Sequence, residues 1–251
     1  HFVHYVLRKY PEIMVLSVDK LTYAGSRSHL PGSDETRHQL VIGDIANATL
    51  MDTLLREHAI DTIVHFAAES HVDRSIAAPG AFIETNIVGT FVLLEAARQY
   101  WQIERGWNES QCRFHHVSTD EVYGSLSSDE PAFTENNPYQ PSSPYSASKA
   151  ASDHLVRAYY HTYGLPVTLS NCSNNYGPHQ HEEKLIPTVI RACLESRVIP
   201  MYGSGLNVRD WLYVEDHVEA IDCILRHAAT GSTYHIGGQA EKTNREVIEA
   251  I

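Results

Sequence analysis

The sequence is short of positive charge, of paired cysteines and of long apolar runs. Lys and Arg total 19 against 31 Asp and Glu, a net charge of -12, and such a chain has no basic face for holding nucleic acid non-specifically. Any anionic ligand must be met by particular Arg and Lys side chains and by backbone N–H groups. Four cysteines, Cys112, Cys172, Cys193 and Cys223, are widely spaced with no Cys-x-x-Cys pair. In a chain of this size they read as thiols of a reducing, cytoplasmic compartment, not as a disulfide frame or zinc site. No apolar run approaches the length of a membrane span, and repeats, low-complexity tracts and a signal peptide are all missing. Sixteen histidines are present, but only His115/His116 and His179/His181 cluster. No His-x-x-x-His face is flanked by a carboxylate, so no structural metal is expected.

What is present suits a sizeable core in one domain or two: 251 residues, 43% of them hydrophobic. Residues 1–10 resemble the rear of an amphipathic helix stopped by Pro11. Short β-rich runs follow at 13–18, 40–42, 60–66, 114–117 and 167–170. Between them lie helical patterns from Asn47, a good N-cap, to His58, over 82–100, and over 144–163. Strands alternating with helices predict an α/β fold with a parallel, doubly wound sheet. After Asn171 the rhythm changes. Asn174 to Pro178 form a turn-rich break, 185–194 a helix, 198–202 a short strand, 214–227 a helix, and 233–236 a strand returning to the sheet. A boundary near Gly177 divides residues 1–176 from a smaller unit over 177–251, of which 210–238 returns to the main sheet. The apolar pattern already running at His1 and the helix-like run at Ile251 lead to the expectation of a fragment truncated at both ends.

Chemistry concentrates between Phe114 and Lys149. The strand run ends at Ser118, Thr119, Asp120 and Glu121, which supply hydroxyls, an acid and a base. Tyr145 and Lys149, four residues apart, share one face of a helix. An ammonium beside a phenol lowers the phenol's pKa, which would make the pair a base near neutral pH. Between them, the Pro- and Ser-rich stretch 124–143 is longer than most loops, and loops of that length are commonly functional. Asp19, closing the first strand run, could bind a ribose diol or simply solubilise a loop, and that residue alone does not decide. Small residues after 60–66, Ala67 and Ala68, would let a ligand approach the backbone.

The run Ser118-Thr119-Asp120-Glu121-Val122-Tyr123-Gly124 is the most specific signal, and Tyr145-x-x-x-Lys149 a weaker one. With the stretches 65–76, 171–178, 183–187 and 207–217, they make the chain resemble the extended short-chain dehydrogenase/reductases, and more narrowly the dTDP-glucose 4,6-dehydratases. The resemblance implies a Rossmann-type fold, NAD as cofactor and a nucleotide-sugar substrate. It also implies a homodimer, in which the helices around Phe91 and Val156 pair. The Gly-x-x-Gly-x-x-Gly turn with which that family opens is not found in this sequence.

By that resemblance Thr119, Asp120, Glu121, Tyr145 and Lys149 are catalytic. Asp19, Lys20 and Thr22 would meet the adenosine ribose, and Asp44 and Ile45 the adenine. Ala67, Ala68, Ser118 and Asn175, with Tyr145 and Lys149, would line the nicotinamide side. Glu69, Ser70, Thr119 and Asn174 would lie near the sugar, and Lys184, Leu185, Tyr202, Arg209 and Asn244 near the nucleotide and diphosphate. An acid at position 19 would repel a 2′-phosphate, which favours NAD over NADP. UDP-glucose dehydration and 4-epimerisation are alternative activities, and a non-catalytic nucleotide-sugar-binding scaffold an alternative role.

Overall fold

The structure, a computed structural model, describes residues 1–30, 36–127, 130–199, 201 and 203–251. Its elements are α1 (Phe2–Lys9), β1 (Val15–Asp19), β2 (His38–Ile42), α2 (Ala48–Glu57), β3 (Thr62–His65), α3 (Val72–Ala77) and α4 (Pro79–Glu104). Then come β4 (Arg113–Thr119), α5 (Pro144–Tyr163), β5 (Val167–Cys172), β6 (Asn174–Tyr176), α6 (Leu185–Leu194), β7 (Val208–Tyr213), α7 (Val214–His227), β8 (Thr233–Ile236), β9 (Glu241–Thr243) and α8 (Asn244–Ala250).

Strands β3, β4, β5 and β8 form a four-stranded, wholly parallel sheet in that order, and β1 and β2 pair in parallel beside it as a separate ribbon. Parallel strands are fully buried only when helices cover both faces, and alternate residues show that they do. On one face Ile63 and Phe114 join Met51 of α2, Leu94 and Trp101 of α4, and Val156 of α5. On the other, Val64 and Val117 meet Phe2 of α1 and Ile221 and Ile224 of α7. A second, three-stranded unit has β6 parallel to β7 and β9 antiparallel to β7. Asp210 fastens it to the loop before β9, one oxygen accepting from Ser173 Oγ and Gly238 N and the other from Ala240 N, all at 2.7–2.8 Å.

Helix α4 departs from its expected phase. Two wide π-type turns, Ile83–Gly89 and Arg98–Glu104, each rotate the apolar stripe. Leu94 and Ala97 are therefore fully buried, while Ile83 and Phe91 face outward, 50% and 46% exposed. Over Pro79–Glu104 this helix is long and apolar enough to cross a membrane, contrary to the expectation that no run would be, but half of its most apolar window is buried inside the protein. That burial accounts for its hydropathy.

The turn-rich break expected after Asn171 contains β6, and β7 and β9 also went unforeseen; β6 and β9, three residues each, carry too few alternating residues to declare themselves. The strand expected at 198–202 is not formed at Val198, Ile199 or Met201. Pro200 and Tyr202 lie outside the described residues.

Leu94, 0% exposed at the centre of the main core, gives the test of this packing. Leu94→Ala is expected to cost about 2–5 kcal/mol, read as a lower urea midpoint with an unchanged slope.

Candidate functional site

The site lies where β4 ends and α5 begins. β4 pairs with β3 over Arg113 to His116 and with β5 over Phe114 to Thr119, so the residues that follow its last pairing, Thr119 with Cys172, emerge at the carboxyl rim where open parallel sheets bind ligands. A short 3₁₀ turn, Asp120–Tyr123, follows at once, with the Thr119 hydroxyl accepting from Glu121 N at 3.2 Å and donating to Asp120 Oδ1 at 3.3 Å. The long loop then returns close to this turn. Gly124, at φ +95°, sits where a Cβ would fall 2.7 Å from Gln140 O. Helix α5 begins with Pro144 and a reciprocal Ser143/Ser146 capping box, and it stops at left-handed Gly164.

That start fixes Tyr145 and Lys149 on the inner face of α5, 9% and 4% exposed. The Lys149 ammonium donates to Val117 O at 2.9 Å. The expectation that Lys149 would lower the phenol's pKa is not met by these groups. Burial, then the charge of Glu121, push Tyr145 well above its ordinary value, with the Thr119 hydroxyl acting against the rise. Burial likewise lowers Lys149, with Asp153 opposing it.

The adjacent carboxyls are separated by their surroundings. Burial and then Glu121 raise Asp120 to about 7, so it holds its proton close to neutrality. Burial also raises Glu121, but the cations of Arg209 and Lys184 act against the rise. Arg209 acts on Asp120 too, which places residues of β7 and of the start of α6 around one centre. Neither Arg209 nor Lys184 forms an ion pair among the described residues.

Other expected residues are distributed along the same rim. Asp19 is exposed at the end of β1, one oxygen accepting from Leu21 N at 2.7 Å. Lys20 is paired with Asp44, and Thr22 is exposed. Ile45 is 7% exposed in the main core, so at an adenine it could offer only backbone. Ala67, Ala68, Glu69 and Ser70 follow β3, and Ser118 is buried with its hydroxyl unpartnered. Asn174 is half-buried in β6. Asn175 is turned inward, its Oδ1 accepting from His217 Nδ1 at 2.8 Å and its Nδ2 donating to Ser173 O at 3.1 Å. Leu185 and Asn244 begin α6 and α8. Tyr202 lies outside the described residues.

Two residues with no assigned role proved central. Asn86, 1% exposed, accepts from Glu69 N and donates to Glu69 O and Ser148 Oγ, at 2.8, 3.0 and 2.8 Å, tying the loop after β3 to α5. No sequence signal marks it within an apolar helix. Asp153, 0% exposed, does have one: it continues the four-residue spacing of Tyr145 and Lys149. Arg74, left without a role, pairs with Glu183 at 3.3 Å and stacks on the Tyr23 ring at 3.6 Å. Among the described residues no group of three or more His, Cys, Asp or Glu could hold a metal; His65, His115 and His116 instead hydrogen-bond to Thr90, Thr168, Ser170 and Ser152.

The raised pKa of Asp120 has a consequence for stability. Between the unfolded value of 3.8 and about 7 the folded state holds a proton that the unfolded chain has lost, so this group's contribution falls as pH rises through that window. Asp120→Asn is therefore expected to stabilise the protein by about 2 kcal/mol at pH 8 and by little at pH 4, measured by urea denaturation at both. Equal changes at the two pH values would contradict the assignment.

The whole chain, residues 1–251, matches the family model described as GDP-mannose 4,6 dehydratase. The dTDP-glucose 4,6-dehydratase of Xanthomonas campestris pv. campestris is 55% identical over 240 residues, 95% of this chain and 68% of that protein. Among solved structures, a dTDP-glucose 4,6-dehydratase of Streptomyces venezuelae with NAD bound superposes with a TM-score of 0.90 at 47% identity, over 100% of this chain and 75% of that one. The dTDP-glucose 4,6-dehydratase of Bacillus anthracis in complex with NAD gives 0.88 at 44%, over 99% and 74%. With the buried Thr-Asp-Glu turn and the Tyr145/Lys149 pair at its centre, this chain belongs to the family of the dTDP-glucose 4,6-dehydratases.

Proposed function

We propose that the protein catalyses NAD-dependent 4,6-dehydration of a nucleoside-diphosphate glucose, dTDP-glucose first, to the 4-keto-6-deoxy sugar. The observation that carries this reading is the pair Asp120 and Glu121, both raised by burial and only Asp120 brought to about 7, beside Tyr145 and Lys149. A 4-epimerase has use for the second pair but not for an acid and base serving loss of water.

The rim residues suit a dinucleotide. Asp19 has one oxygen without a partner among the described residues, placed for a ribose diol, with Lys20 and Thr22 beside it. Asp44 and the Ile45 backbone border the adenine side, and Ala67, Ala68 and Ser118 leave room beside Tyr145 and Lys149. NAD, when bound, supplies the hydride acceptor and, in its oxidised form, a positive ring.

In this reading the positive ring of the bound cofactor would offset the burial and the negative charges that raise Tyr145, so that the Tyr145 phenolate takes the C4 hydroxyl proton as the C4 hydride departs, while Thr119 hydrogen-bonds that oxygen and Lys149 steadies the phenolate. The resulting C4 ketone acidifies the C5 proton, which Glu121 removes. Asp120 gives its proton to the C6 oxygen, which leaves as water. Return of the hydride to C6 and of a proton to C5 completes the cycle with no net change in the cofactor. Glu69, Ser70 and Asn174 border the sugar, and Lys184, Leu185, Arg209 and Asn244 the nucleotide and its diphosphate. Arg209 offers a planar fork of donors suited to phosphate oxygens.

The reading extends to a cytoplasmic homodimer, with residues 1–176 forming the NAD unit and 177–251 mostly the sugar-nucleotide unit; of the stretch 210–238 expected to rejoin the main sheet, α7 and β8 do so, while β7 pairs with β6 and β9 instead. Val156, 0% exposed, is a core residue and not a contact residue. The outward Ile83, Phe91 and Ile103 of α4 and Tyr163 of α5 supply the apolar face instead.

Product analysis with dTDP-glucose and UDP-glucose tests the activity: a 4-keto-6-deoxy product supports it, and C4 epimer alone sinks it. Tyr145→Phe is expected to reduce C4 oxidation by about 10²–10⁴-fold. Glu121→Gln should spare C4 oxidation but slow solvent-deuterium exchange at C5, and normal exchange there would remove Glu121 from its role.

A further inference from the structure

One face of α5 carries a titratable group at every fourth residue, Tyr145, Lys149, Asp153 and Arg157, a spacing that sets them in one line. Dehydration as described above has no use for Asp153, yet it is fully buried, and carboxylates are almost never buried without a partner. Its Oδ2 accepts from Tyr139 OH at 2.8 Å and from Asn171 Nδ2 at 3.0 Å, and Arg157 Nη2 donates to the same Tyr139 oxygen at 2.7 Å. That oxygen is thereby anchored between the long loop, β5 and the next turn of the helix. Its Oδ1 makes no hydrogen bond and lies 3.3 Å from His116 Nε2. Burial lowers His116 to about 4, so the ring beside Oδ1 is neutral at pH 7.

Lys149 stands one turn before Asp153. Its bond to Val117 O uses one of three ammonium donors. The groups around it are Asp153 on α5, His116 and Val117 O on β4, His65 on β3 and Cys172 on β5, with Ser118 of β4 facing Asp153. Burial keeps both histidines neutral and raises the Cys172 thiol to about 12. Asp153 is the one carboxylate acting on the ammonium among the described residues. We propose that Asp153 is a positioning residue for the Tyr145–Lys149 pair, its buried carboxylate one helical turn from the buried ammonium supplying the negative charge that keeps Lys149 protonated, given the roles of Tyr145 and Lys149 stated above. The Oδ2 anchors, Tyr139 OH and Asn171 Nδ2, hold the carboxylate in its place, while its charge is what acts on Lys149.

The test reads Lys149 directly, without substrate or cofactor, and so does not depend on which reaction the protein catalyses. The chain has five lysines, Lys9, Lys20, Lys149, Lys184 and Lys242, so a ¹³Cε-lysine spectrum is assignable with Lys149→Arg. Asp153→Asn keeps an acceptor for Tyr139 and removes the charge. Its Lys149 midpoint is expected to fall by about one pH unit or more, while that of Tyr139→Phe, which loses an anchor but keeps the charge, stays within a few tenths. An unmoved Lys149 midpoint in Asp153→Asn overturns the proposal. In the unmutated protein the Asp153 carboxyl ¹³C signal must also shift at the Lys149 midpoint, which decides the matter should the Asn variant not fold; a flat Asp153 signal there would equally overturn it. In turnover, the basic limb of the pH profile should move down with the Lys149 midpoint in Asp153→Asn, a displacement that loss of stability alone does not produce.

Discussion

Burial of charge at the carboxyl end of β4 is the constraint on which the rest depends. Five ionisable side chains, Asp120, Glu121, Tyr145, Lys149 and Asp153, are gathered where burial works against their charged forms. Water would erase the differences among them, as it does for exposed carboxylates with ordinary values. Here burial sets the direction in which each proton affinity is pushed, and neighbouring charges modify it. Asp120 has Glu121 beside it, Glu121 has Arg209 and Lys184, and Lys149 has Asp153.

The fold serves that constraint through a small number of polar ties. Asn86 holds the loop after β3 to α5, Asp210 holds the second unit to the loop before β9, and Asp153 holds the long loop to β5. None of the three is a surface ion pair of the kind that contributes little to stability. Each is buried or half-buried and satisfied mostly by backbone or neutral donors, so it orders the rim without adding a mobile charge to it.

Much of the architecture could be read from residue order. Helix 144–163 was delimited to the residue because Ser143, Pro144 and Gly164 are local stop and start signals, and 185–194 likewise, with Pro187 in its first turn. The strand runs were placed within one or two residues where β-branched residues were dense. Legibility failed where strands are three polar residues long, as at 174–176 and 241–243, and where π-type turns in α4 altered the phase that helical spacing assumes. At the site, residue types near β4 and on α5 were visible as a pattern. The direction of the Tyr145 shift was not, since it depends on how deeply the phenol is buried and on the charge of Glu121 beside it.

The sequence by itself determined the alternation of strands and helices, the capped helix that presents Tyr145 and Lys149 together, and the acid pair next to Thr119. These follow from local spacing, capping and hydrophobic pattern, which short stretches of chain carry whole. Tertiary structure alone decided that Arg209 and Lys184, far along the chain, oppose the rise of Glu121. It also decided that Asn86 is a brace and not one more helix residue, and that Asp153 is buried next to a neutral His116 with one oxygen uncommitted. Those outcomes depend on which distant groups share a water-poor volume, and only the packed sheet with helices on both faces sets that.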